Sequence, residues 1–118
     1  MLTSVPEHEV YPDGLEDRFL EAWEIAFEAA EILKKKFKVK EVRVTGSLIK
    51  RERYKETSDI DLVVPEFSMS EMLDCGKDLD KFYPWEIDII PLKSTTQKKA
   101  EYFYNRSIPI GRKKKKKS

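Results

Sequence analysis

The chain has 118 residues, 40% of them hydrophobic and 11% aromatic, which suffices for one core and is too short for two ordinary domains. Charged residues make up 38% but cancel to a formal net charge of +1, so charge alone assigns no nucleic-acid partner. A single cysteine, Cys75, excludes an intrachain disulfide and a cysteine-built zinc site, and no apolar run is long enough to span a bilayer.

The charge is unevenly placed. Arg18 is the only Lys or Arg before Lys34, whereas Arg112 and Lys113 to Lys117 close the chain. Residues 1–111 are therefore expected to form one domain and residues 112–118 a basic tail, a solvated end or a handle for RNA or an acidic partner. Asn105 and Gln97 are the only side-chain amides, a composition resembling that of thermophile proteins. Absent export signals make the cytoplasm the expected address.

Met1 to Pro12 reads as an irregular lead-in, with His8 a poor catalytic candidate. Asp13 and Glu16 have capping-box spacing for a helix running to about Lys38. Leu15, Phe19, Trp23, Ala26, Ala30, Leu33 and Phe37 recur at helical spacing along it. That stripe suits a core, or equally a dimer interface. Glu41 to Thr45 alternates as a strand and Gly46-Ser47 ends it. Leu48 to Ser58 reads as a short helical turn and a loop.

Asp59 to Val64 is the clearest strand, closed by Pro65. Ser68 or Ser70 can cap a second helix carrying Met69, Met72, Leu73 and Leu79. Trp85 to Ile90 forms a third strand before Pro91. Ser94 to Gln97 has capping-box spacing for a helix to about Asn105, with Ala100 and Phe103 inward, and Ile108 to Gly111 is a last extended piece. The expected fold is α/β (α+β): a small mixed sheet with helices packed on one face.

Asp59 and Asp61 lie two apart on a strand, so both carboxylates share a face while Ile60 and Leu62 share the other. Adjacent acids repel, and the arrangement makes sense around a divalent cation, for which hard oxygen ligands suit Mg²⁺ or Mn²⁺. Asp88 can complete a three-carboxylate site if its strand neighbours the first. It is preferred over Glu86 because Ile87, Ile89 and Ile90 are expected to bury it at a strand centre. Gly46 permits a sharp turn, where backbone N–H groups and the Ser47 hydroxyl can meet phosphate oxygens.

Val44-Thr45-Gly46-Ser47, followed eleven positions after Ser47 by Ser58-Asp59-Ile60-Asp61-Leu62-Val63-Val64, resembles the signature of the DNA polymerase β-type nucleotidyltransferases. In size the chain is similar to their minimal members, the MNT proteins. The resemblance covers Val42 to Ile90 and implies the nucleotidyltransferase fold. It implies Mg²⁺-dependent transfer of a nucleoside monophosphate, AMP from ATP first among them, to an acceptor hydroxyl with release of pyrophosphate. Asp59, Asp61 and Asp88 would then be catalytic and metal-binding. Gly46, Ser47 and Ser58 would hold the nucleotide, joined by Lys50 and Arg51, with Arg53 a further candidate for phosphate contact. Minimal members are often paired with a HEPN-family toxin and some modify it, so a HEPN-type partner or a homo-oligomer is expected. The chain departs from the pattern in lacking a second Gly between Leu48 and Arg53, which leaves open a binding module that acts by contact instead of chemistry. An RNA- or tRNA-directed transferase subunit is less expected, for want of further domains.

Overall fold

The computed structural model describes residues 15–50, 53–55 and 59–111. The proposed Asp13–Glu16 capping box, His8, Arg51, Ser58, the basic tail and the side chain of Leu15 lie outside the described residues.

Helix α1 spans Leu15–Lys36. Phe19, Trp23, Ala26, Ala30 and Leu33 are all fully buried beneath it, so these positions of its apolar stripe serve the core of this chain. Lys34, Lys35 and Lys36 occupy its last turn, where cations complement the helix dipole. It ends two residues before the expected Lys38 because that residue adopts a left-handed φ of 61°.

Four strands follow: β1 (Val42–Thr45), β2 (Ile60–Val64), β3 (Ile87–Pro91) and β4 (Ile108–Ile110), in the spatial order β3-β2-β1-β4. β1 pairs antiparallel with β2 and with β4, whereas β2 and β3 run parallel. Period-two alternation puts Val42, Val44, Ile60, Leu62 and Val64 on the face under α1 and α2, all of them fully buried. These two helices are the expected layer.

Helix α2 (Met69–Leu79) starts at Ser68, whose backbone N–H and hydroxyl both bond Glu71 at 2.6 and 2.7 Å, completing a capping box. It buries Cys75 and Leu79, whereas Met69 and Leu73 point to solvent. Cys75 is thus a packing residue, and burial pushes its thiol up to about 11. Helix α3 (Gln97–Asn105) is capped by Thr96, which accepts from Lys99 N–H. It lies beside the opposite face of the sheet, held by Arg43. The Arg43 guanidinium is stacked 3.9 Å from the Tyr104 ring centre and donates to the Ser107 hydroxyl and carbonyl, both at 2.7 Å. Among the described residues no helix is long and apolar enough to cross a membrane.

Candidate active site

Strand register assembles the site. Thr45 is opposite Asp61 on one side of β2 and Asp88 is opposite Asp61 on the other. One row of the sheet therefore carries the end of β1, the second acid of the Asp59–Asp61 pair and the third acid. Gly46 continues directly from Thr45 with φ 79°, a conformation that L side chains rarely adopt. A Cβ at Gly46 would lie 2.6 Å from Asp61 Oδ2. Glycine is thus required twice over, by the turn and by its contact with the carboxylate.

The three acids interact. Burial, followed by the charges of Asp88 and Asp59, pushes the Asp61 carboxyl up to about 6. Asp88 is raised as well, by burial and then by the charge of Asp59. The expectation that Ile87, Ile89 and Ile90 bury Asp88 at a strand centre is corrected: it is exposed. Its strand forms the edge of the sheet, and no described strand pairs with its outer side. Glu86 is also exposed, and it is Asp88 that stands opposite Asp61.

A 3₁₀ turn, Gly46–Ile49, follows β1. Its Leu48 is fully buried, and the Leu48 carbonyl accepts from the indole N–H of Trp23 at 3.2 Å. The segment that lacks a second glycine is thus bolted into the core by a leucine and tied to α1. Lys50 N–H closes the turn on the Ser47 carbonyl at 3.2 Å.

Beside the carboxylates lies a cleft of about 660 Å³. Gly46, Lys50 and Asp61 line it, together with Arg53, Arg106, Tyr102 and Phe103. Ser47 is half-buried next to Gly46 and is not among the lining residues. Arg106 and the two aromatics were not singled out by sequence as nucleotide contacts. They sit at the far end of the chain, and they reach the cleft because Arg43 clamps α3 and the Thr45 hydroxyl donates to the Arg106 carbonyl at 2.8 Å. The Arg106 guanidinium stacks 4.0 Å from the Tyr102 ring centre, a pairing no local sequence pattern announces.

No trio of His, Cys, Asp or Glu side chains among the described residues already has the spacing of a metal cage. The donor set nonetheless fits a hard divalent cation: Asp59 supplies a carboxylate beside Asp61 and Asp88, whose carboxyls are raised by burial and by the charge of the neighbouring acids. Three cationic side chains across the cleft suit a polyphosphate.

No curated protein and no solved structure matches the chain. The model of the nucleotidyltransferase domain family matches residues 27–115, from the middle of α1 past β4, and so takes in the glycine turn, the acid row and the α3 side of the cleft. By that match the chain belongs to the nucleotidyltransferase domain family.

Proposed function

We propose that the chain transfers a nucleoside monophosphate, AMP from ATP first among the candidates, to an acceptor hydroxyl. The observation that carries this reading is the alignment of Gly46, Asp61 and Asp88 beside a cleft lined by Lys50, Arg53 and Arg106.

Asp59, Asp61 and Asp88 would hold Mg²⁺ or Mn²⁺, which when bound supplies the charge neutralisation that phosphoryl transfer needs. Gly46, bare of a side chain, lets the triphosphate approach the Asp61 carboxylate closely. Lys50, Arg53 and Arg106 draw charge from its oxygens and orient it, and Arg51, Ser47 and Ser58 are further candidates for this work. The faces of Tyr102 and Phe103 offer apolar support to the nucleoside. The acceptor oxygen attacks the α-phosphorus, the bond to the bridging oxygen breaks, and pyrophosphate leaves. Asp88 stands on the open edge, where an acceptor can arrive, and takes the hydroxyl proton.

Asp59→Asn and Asp61→Asn are each expected to lower label transfer from α-labelled ATP by at least about a hundredfold, as loss of a charged group acting in the transition state does. Undiminished transfer in both variants would refute the assignment. The resemblance to minimal family members makes a HEPN-type protein the first acceptor to supply in that assay.

A further inference from the structure

We propose that the outer edge of β3 is a strand-addition site for an extended, cationic peptide segment of a partner protein. β3 pairs only with β2 among the described strands. The Ile60 N–H donates to the Glu86 carbonyl at 2.9 Å, with Ile60 opposite Ile87. In a parallel ladder this leaves the main-chain groups of Ile87 and Ile89 facing outward, a template for a fifth strand.

The space for that strand is already present. A groove of about 560 Å³ runs along residues 85–89 and under α2, whose Met72, Gly76 and Leu79 form its wall. Gly76 is the telling residue. It sits inside α2, where glycine is the poorest choice after proline, and a Cβ there would meet nothing within 4 Å. Nothing among the described residues requires the missing side chain; a backbone passing close to the helix would. Leu73, 68% exposed, and Tyr83, 85% exposed, offer further apolar contact beside the groove.

Charge selects the occupant. Asp80, Glu86 and Asp88 line the groove and no Lys or Arg does. A nucleic acid would be repelled, and a second copy of this chain paired edge to edge would bring the same acids together. A peptide carrying Lys or Arg satisfies both the edge and the acids. If the transferase reading holds, that peptide also passes beside Asp88; the docking itself does not depend on that reading.

The probe is an array of degenerate nine-residue peptides, scanned position by position and read first for retention of fluorescent full-length protein without nucleotide. Retention should rise with Lys or Arg at alternate positions. Gly76→Phe, which fills the groove, should weaken retention about tenfold or more, and Glu86→Lys should abolish the preference for basic residues. Gly76→Ala should keep binding within about threefold and raise Tm by about 4 °C, showing that the glycine is not there for stability. Retention by no peptide, a preference for acidic peptides, or equal retention by wild type, Gly76→Phe and Glu86→Lys would each overturn the proposal. A second reading with Mg²⁺ and α-labelled ATP separates the two ideas: retention without label transfer keeps the docking site and counts against the transferase reading.

Discussion

Asp61 is harder to ionise in the fold than a carboxyl in water. Its carboxyl is pushed up to about 6 by burial and by Asp88 and Asp59, so the fold favours its protonated form. A raised acid pKa contributes stability below the unfolded value, and that contribution is lost as pH rises through the folded value. The window therefore runs from about 4 to about 6. Above it the ionised group weakens the metal-free protein, on the order of 1 kcal/mol after discounting for its half exposure. Asp61→Asn should accordingly raise Tm at pH 7.5 and leave it nearly unchanged at pH 4, while abolishing transfer. Equal stabilisation at both values would show that repulsion among the acids is not what burdens the fold. At this scale the motif was readable because backbone geometry is local: Gly46 needs its positive φ, and residues two apart on a strand must share a face. What could not be read was which carboxyl is perturbed most, since that depends on which strands become neighbours.

Elements decide how rigidly those residues are presented. Trp23, a core residue by sequence, also ties α1 to the turn after Gly46 through its bond to the Leu48 carbonyl. Trp23→Phe keeps an aromatic ring in place and removes that donor from a buried carbonyl. A loss of about 1–3 kcal/mol in unfolding free energy is expected, with KM for ATP raised more than kcat is lowered if the turn holds the phosphates as proposed. An unchanged KM in a destabilised variant would assign Trp23 to packing alone. Helix positions were legible from apolar spacing, and Ser68 was one of two candidate caps for α2, whereas α3 is capped by Thr96, two residues beyond the Ser94 of the expected Ser94–Gln97 box. The contribution of α3 to the cleft was not, because it follows from Arg43 reaching Ser107 and Tyr104 across the sheet. Pattern reading locates the face of a helix but not the neighbour to which that face turns. The same blindness placed Asp88 at a strand centre: its apolar flanks are real, but its strand is an edge.

The molecule as a whole separates two surfaces on either side of one acid row. The cleft with Lys50, Arg53 and Arg106 is basic, the groove along β3 is acidic, and Asp61 and Asp88 stand where they meet. The chain has two tryptophans, and the fold assigns one to each surface. Trp23 is sealed in the core with its N–H on the turn that borders the cleft. Trp85 lines the groove, with the Arg18 guanidinium 4.5 Å from its ring centre. The protein is thus furnished with two optical gauges, one for each compartment. With Trp85→Phe, MgATP should alter the remaining emission and a basic peptide should leave it constant. With Trp23→Phe the responses should be exchanged, so that one fluorometer can report separately whether donor and partner have arrived, and in which order.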